Sequence, residues 1–119
     1  MTVIHPAAVI SQSAQIGEGS FIAANAFIGP KAKIGRGTII NTGAIVEHEC
    51  VVGDYAHVAS GATLSGKSRV GEGALIGAGA TIRFGQSVGD WATVGCGACV
   101  VKDVPPGETW IGVPARRHQ

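Results

Sequence analysis

The sequence predicts an all-β protein, a solenoid of very short strands wound into triangular coils, and three observations predict it. Ile, Val or Leu recurs at every sixth residue without an insertion, seventeen times from Ile4 to Val100. A small residue stands two positions before almost every one of these aliphatics. Sixteen of the nineteen glycines fall either one or three positions after the aliphatic. A fixed short period is typical of solenoids, and a period of six fits no helical repeat.

Each part of this six-residue unit has a physical reason. Residues two apart on a strand point to the same side, so the small residue and the aliphatic both face inward; Gln86 is the one departure among the small residues. Glycine follows because tight corners require backbone angles that other residues avoid. Three units close a coil of eighteen residues. We therefore expect about five coils over residues 1–104 and a short irregular tail over 105–119.

Outward strand positions recur every eighteen residues and define three faces, of which two are largely apolar and one is mostly polar. Contiguous apolar surface marks an interface, although ordinary strand surface is the alternative explanation. Face one carries Phe21, Ile39, His57, Leu75 and Thr93; face two carries Val9, Phe27, Ile45, Thr63, Thr81 and Cys99; face three carries Gln15, Lys33, Val51, Arg69 and Ser87.

Composition limits the function classes. A net charge of +1 gives no reason to expect nucleic acid or a membrane surface as a partner. No apolar run approaches the length of a membrane-spanning helix. The three cysteines occupy an inward column, a corner and an outer face, which is the distribution expected of reduced thiols in a cytoplasmic protein rather than of a disulfide or metal site.

His48 and His57 are the candidate catalytic residues. His48 lies at the corner between faces two and three, and His57 points out of face one half a coil later, so the two are about 15 Å apart. A shared site must then lie between subunits, with Asn41 and His57 from one chain and His48 and Glu49 from its neighbour. A neutral imidazole can take the proton of an acceptor that attacks a thioester, and an adjacent carboxylate raises its basicity. A solvated corner residue is the alternative for His48.

The hexads over residues 4–104 resemble the left-handed parallel β-helix of the hexapeptide-repeat acyltransferases. The stretch 41–58, the Ile4-His5-Pro6 start and the ending 101–116 are similar to the sialic acid O-acetyltransferase and bacillosamine-pathway N-acetyltransferase family. This resemblance implies a homotrimer that uses acetyl-CoA to acetylate a small acceptor such as a nucleotide-linked amino sugar. It also implies that His48 is the general base and that Glu49 tunes it.

The resemblance further implies which residues meet the ligands. His57 would contact acetyl-CoA, with Asn41 nearby on the substrate side, and Gly66, Ala78 and Cys96 would line the groove for pantetheine and adenine. Lys102 and Arg116 are candidates for contacts to the phosphates of coenzyme A, although a solubilising tail is an equal alternative. Family members carry an N-terminal nucleotide-sugar-binding domain, which we expect this chain to lack.

Two other function classes use the same fold. A metal-dependent hydratase of the γ-carbonic anhydrase type needs three histidines for each zinc ion, and the spacing of His48 and His57 does not fit that requirement. A non-catalytic trimeric scaffold needs no charged corner, and the intact Glu47-His48-Glu49 sequence argues against it. The sequence therefore favours the acetyltransferase and predicts no metal site.

Overall fold

The computed structural model describes all 119 residues as a parallel β-solenoid of about six turns with no helix. The molecule is a rod of 38 × 20 × 19 Å. The predicted all-β solenoid is confirmed. The number of coils is about six rather than about five, because the segment Thr109–Ile111 adds one more strand level on top of Thr93–Val94.

The three faces of the rod are three sheets of eight, six and five strands, and they correspond to faces one, two and three of the sequence. Face one contains β1 (Val3–Ile4), β4 (Phe21–Ile22), β7 (Ile39–Ile40), β10 (His57–Val58), β13 (Leu75–Ile76), β16 (Thr93–Val94), β18 (Thr109–Ile111) and β19 (Arg116–His118). Face two contains β2 (Val9–Ile10), β5 (Phe27–Ile28), β8 (Ile45–Val46), β11 (Thr63–Leu64), β14 (Thr81–Ile82) and β17 (Cys99–Val100). Face three contains β3 (Gln15–Ile16), β6 (Lys33–Ile34), β9 (Val51–Val52), β12 (Arg69–Val70) and β15 (Ser87–Val88).

The register of these sheets follows the eighteen-residue coil. His57, for example, pairs with Ile39 below it and with Leu75 above it. The inward aliphatic and small columns form a single core cluster of 26 buried residues. Residues 48, 66 and 84, which differ by eighteen, therefore lie above one another on the same corner, and this rule positions the candidate site.

The corners use glycine for two different reasons. Three positions after the aliphatic, the backbone is left-handed, as at Gly43 with φ of 68°, which is a conformation that suits glycine. One position after the aliphatic, the glycines are not left-handed. A Cβ there would meet the next coil, as at Gly53, where it would lie 2.6 Å from the backbone nitrogen of Glu72. Only the first reason was expected from the sequence.

The C-terminal segment is more regular than predicted. Strands β18 and β19 pair antiparallel and extend face one beyond the last hexad. Trp110 pairs in register with Val94 and packs against the core, although it lies after the last hexad, in the segment for which an irregular tail was expected. No helix in the structure is long and apolar enough to span a membrane.

Candidate active site

The corner between faces two and three holds His48 and Glu49 in direct contact. Backbone hydrogen bonds fix this corner on both sides, because the Glu49 N–H donates to Pro30 O at 2.9 Å and the Lys67 N–H donates to His48 O at 2.9 Å. His48 Nδ1 lies 3.1 Å from Glu49 Oε1. Both side chains are partly open to solvent. The corner therefore presents a paired imidazole and carboxylate at the surface.

Glu49 is held in the charged form by its neighbours. The hydrogen bond from His48 is the largest influence and lowers the pKa of Glu49, and the positive charges of Lys67 and Lys31 act in the same direction. These lysines lie one coil above and one coil below Glu49 in the same column. An ionised carboxylate can only accept hydrogen bonds, so it favours the proton of a neutral His48 on Nδ1 and leaves Nε2 as the free base.

The ring of His48 lies over Gly66, one coil above. A Cβ on Gly66 would overlap Nε2 and would lie 2.8 Å from Cε1 and 3.0 Å from Cδ2. Phe84 follows one coil further along the same corner, and its ring centroid is 6.3 Å from that of His48, with the ring planes tilted by 50°. Gly66 thus lies directly against the ring of the candidate base.

Asn41 and His57 form a second pair on face one. Asn41 Oδ1 accepts the Thr42 N–H at 2.8 Å, and Asn41 Nδ2 lies 3.3 Å from His57 Nε2. An amide nitrogen can only donate, so His57 Nε2 accepts this bond and the proton of a neutral His57 is on Nδ1. His57 is half-buried and can offer this N–H to a ligand.

The structure does not bring the two pairs together within one chain. His57 lies in the sheet of face one, and His48 lies at the corner where faces two and three meet, which is the corner opposite face one in a triangular rod. The hydrophobic core separates them across a section about 20 Å wide. The separation expected from the sequence is therefore present.

The other candidate residues fall on two edges of the rod. Ala78 and Cys96 are exposed one above the other at the corner between faces one and two, and the Gly97 N–H donates to Ala78 O. Lys102 is on the His48 edge, eighteen residues after Phe84. Two edges thus carry candidate residues, one starting at His48 and one passing close to Asn41.

Lys102 and Arg116 line the same cavity of about 260 Å³ at the C-terminal end of the rod, together with Trp110. Arg117 also lines it, but its Nε lies 3.9 Å from Glu108 Oε1. Lys102 and Arg116 make no such ion pair and are both exposed. The cavity therefore offers two cations that are available for an anionic ligand.

Sequence reasoning missed two features of this region. The sequence analysis gave Phe84 no role, because its contact with His48 depends on side-chain orientations that spacing does not specify. Gly66 was assigned only to the cofactor groove. The sequence did mark Gly66 as unusual, since within the hexads it is the glycine that lies neither one nor three positions after an aliphatic. No group of three or more His, Cys, Asp or Glu side chains in the chain is arranged to hold a metal ion.

Residues 31–66 match the family model described as bacterial transferase hexapeptide, six repeats. No curated protein sequence matches the chain.

Solved structures match it over almost the whole length. The acetyltransferase domain of PglB from Neisseria gonorrhoeae FA1090, in complex with acetyl coenzyme A, is 42% identical with a TM-score of 0.96, and the match covers 98% of this chain and 57% of that one. PerB from Caulobacter crescentus, in complex with CoA and GDP-perosamine, is 41% identical with a TM-score of 0.98, over 99% and 57%. WeeI from Acinetobacter baumannii AYE is 36% identical with a TM-score of 0.96, over 99% and 58%. The chain thus spans less than two thirds of each of these proteins.

Proposed function

Because this chain belongs to the bacterial hexapeptide-repeat transferases, we propose that it is an acetyl-CoA-dependent acetyltransferase that modifies an amino or hydroxyl group of a small acceptor. The observation that carries the proposal is the His48–Glu49 pair, on a chain 42% identical to an acetyltransferase domain that binds acetyl coenzyme A. A nucleotide-linked amino sugar is the acceptor that we favour, since PerB, 41% identical, binds GDP-perosamine.

His48 acts in this proposal as the general base. Glu49 accepts the Nδ1 proton of His48 at 3.1 Å, so Nε2 is free to receive a proton from the acceptor. As the acceptor nitrogen or oxygen forms its bond to the thioester carbonyl carbon, its proton passes to Nε2. The carbon–sulfur bond then breaks, the thiolate of coenzyme A leaves, and the proton on His48 returns to that sulfur. The transfer is direct and needs no acylated cysteine.

In this proposal His57 stabilises the negative charge that develops on the carbonyl oxygen of the thioester. Asn41 binds His57 Nε2 at 3.3 Å and thereby favours the proton on Nδ1. A fixed N–H donor near the carbonyl oxygen of the thioester stabilises the negative charge that develops there as the acceptor attacks. Asn41 is then both the residue that sets the His57 tautomer and a neighbour of the bound substrate.

The complete site requires a second copy of the chain, because His48 and His57 lie on opposite sides of the rod. We propose a homotrimer in which the His48 edge of one subunit faces the Asn41–His57 side of the next. The outer side chains of face one include Phe21 and Leu75, exposed by 42% and 38% in the single chain. Burial of such apolar surface favours association, and three equal heterologous contacts close a ring.

Acetyl-CoA would bind in the groove between these subunits. One wall is the edge that carries His48 and Lys102, and the other is the corner that carries Ala78 and Cys96 of the neighbour. Lys102 is three coils from His48, which is about 14 Å along the rod. An extended pantetheine arm suits this distance, so the thioester lies at His48 while Lys102 and Arg116 contact the phosphates.

Release of free thiol from acetyl-CoA tests the proposal, with GDP- and UDP-linked amino sugars and the free amino sugars as acceptors. We expect acceptor-dependent release by the wild-type protein and a rate lowered by about 10²–10⁴ in His48→Ala. His5→Ala is the matched control, since His5 is an exposed histidine whose ring accepts the Ala7 N–H. Absence of acceptor-dependent release by the wild type would refute the function. Equal rates for His48→Ala and the control would refute the role of His48.

A cytoplasmic location agrees with this function, because the cytoplasm supplies acetyl-CoA and keeps thiols reduced. The three cysteines form no disulfide.

A further inference from the structure

Gly66 is a glycine that the fold itself does not require. It stands two positions after the aliphatic Leu64, and every other residue at this position of the hexad carries a side chain. Its backbone is not left-handed, unlike the glycines one position further along, such as Gly61 and Gly85. The residues at the equivalent positions are Pro6, Gln12, Glu18, Ala24, Pro30, Arg36, Thr42, His48, Asp54, Ser60, Glu72, Ala78, Phe84, Asp90, Cys96 and Lys102.

The space next to Gly66, on the side of the preceding coil, is filled by the ring of His48. The three nearest atoms to a Cβ at residue 66 all belong to this ring, namely Nε2, Cε1 at 2.8 Å and Cδ2 at 3.0 Å. An approach along the Nε2 lone pair would leave both carbons much farther away than the nitrogen. The nearly equal distances show that the face of the ring lies on Gly66. The lone pair of Nε2, which lies in the ring plane, remains open.

Phe84 limits the movement of the same ring from the next coil. The centroid distance of 6.3 Å and the tilt of 50° fall within the range of attractive aromatic pairs. Because Gly66 has no side chain, the rings at positions 48 and 84 can approach each other across a full coil. Phe84 is still 56% exposed, so the apolar core does not account for an aromatic residue at this corner.

We propose that Gly66 and Phe84 are positioning residues that fix the orientation of the His48 ring, the base of the acetyl transfer. Gly66 lies against one face of the His48 ring, Phe84 packs near the same ring, and Glu49 holds Nδ1 at 3.1 Å. Together these contacts fix the ring while its Nε2 lone pair stays available to the acceptor. The inference rests on the proposed function and gives Gly66 a role that differs from lining a groove for acetyl-CoA.

Gly66→Ala separates the two roles by steady-state kinetics. The new methyl group has no backbone strain to overcome and must displace the ring of His48, and a misplacement of about 1 Å lowers a rate by up to about 10²-fold. We expect kcat to fall by about 10–100-fold while KM for acetyl-CoA stays within about twofold. A raised KM with unchanged kcat would overturn the proposal in favour of a cofactor contact. Unchanged values of both would overturn it as well.

Gly66→Ala in the His48→Ala background provides the coupling test. If Gly66 acts through His48, the second substitution lowers the residual rate no further, because the ring it would displace is gone. A further loss of tenfold or more would overturn the proposal. Gly95→Ala is the matched control for stability, since a Cβ there also meets a movable side chain, at 2.7 Å from Ile111 Cγ2.

NMR of the His48 ring tests this positioning without a measurement of acetyl transfer. We expect Gly66→Ala to shift the ring resonances of His48, and Phe84→Leu to shift them by removing the aromatic ring current, whereas Phe84→Tyr restores the wild-type values. Unchanged resonances in Gly66→Ala and Phe84→Leu would overturn the proposal that these two residues position the His48 ring. If the wild type lacked transferase activity, the proposed function would fail, while this measurement would still decide the geometry.

Discussion

Two inactive variants should restore each other when they are mixed. His48→Ala removes the proposed base. His57→Ala removes the proposed hydrogen-bond donor to the thioester carbonyl oxygen. A trimer made of either variant alone therefore has no intact site. In the proposed trimer each site takes His48 from one chain and His57 from its neighbour, since the two lie on opposite sides of the rod. A mixed trimer can therefore contain sites in which both histidines are present.

The recovery can be calculated from this geometry. A site is intact when the chain that supplies His48 is a His57→Ala chain and its neighbour is a His48→Ala chain. In an equal mixture with random assembly these conditions each hold with a chance of one half, so about one quarter of the sites are intact. For a fraction p of one variant the intact share is p(1 − p), with its maximum at equal amounts. A site contained in one chain predicts no recovery at any ratio.

The assay is thiol release from acetyl-CoA after the two variants, carrying different affinity tags, have been unfolded together and refolded. Tandem purification on both tags proves that mixed trimers are present. A dilution control uses the double variant with wild-type chains, where the activity follows the square of the wild-type fraction for a shared site and the fraction itself for a site within one chain. Mixed trimers with no more activity than the separate variants would refute the shared site.

Three further outcomes follow from the same contacts. Alanine at both Lys102 and Arg116 should raise KM for acetyl-CoA by about 10–100-fold, the worth of one or two charge-assisted hydrogen bonds, and leave KM for acetyl-pantetheine unchanged. Since the bond from His48 lowers the pKa of Glu49, the stability that this contact contributes is present above the unfolded-state pKa and is lost as the pH falls through the lowered folded-state pKa. The melting temperatures of wild type and Glu49→Gln should accordingly differ at neutral pH and converge in acid. By thermal unfolding, Trp110→Ala should cost about 2 kcal/mol through lost packing, and Gly53→Ala about 1–3 kcal/mol because its Cβ meets backbone.

The period of the sequence predicted the strands and their pairing because one rule holds over seventeen units. It failed after Val100, where the spacing changes. Trp110 pairs with Val94, sixteen residues away rather than eighteen. The coil is already two residues short at Val104, which bridges to Val88, also sixteen residues before it. Counting by eighteen would instead place Trp110 above Ala92, in the column of small residues, so the repeat gives the wrong partner for it. The antiparallel pairing of β18 and β19 was equally hidden, since nothing in a parallel repeat signals a reversal of direction.

The candidate site was predictable to the level of the corner and no further. The hexad placed His48 and Glu49 on one corner and His57 on the opposite face, because these are backbone positions. It did not give the orientation of the rings, so the contact of His48 with Phe84 was missed. A residue that departs from the repeat is more informative than one that follows it. Gly66 is such a departure, because it lacks a side chain where the equivalent positions have one, and the His48 ring fills that space.

Glu49 occupies a corner at which the backbone conformation is unfavourable for a residue with a side chain. It adopts a left-handed backbone with φ of 59°, at a position where eight corners of the repeat use glycine instead. L-residues avoid this conformation, although Asn25, Tyr55 and Trp91 also adopt it at other corners of the repeat. The same conformation directs the carboxylate to His48 Nδ1, which glycine cannot do. Lys31 and Lys67, also left-handed at φ of 60°, lie directly below and above Glu49 and help to keep it ionised. The repeat thus tolerates three successive unfavourable corners along one edge, the edge on which the proposed base lies.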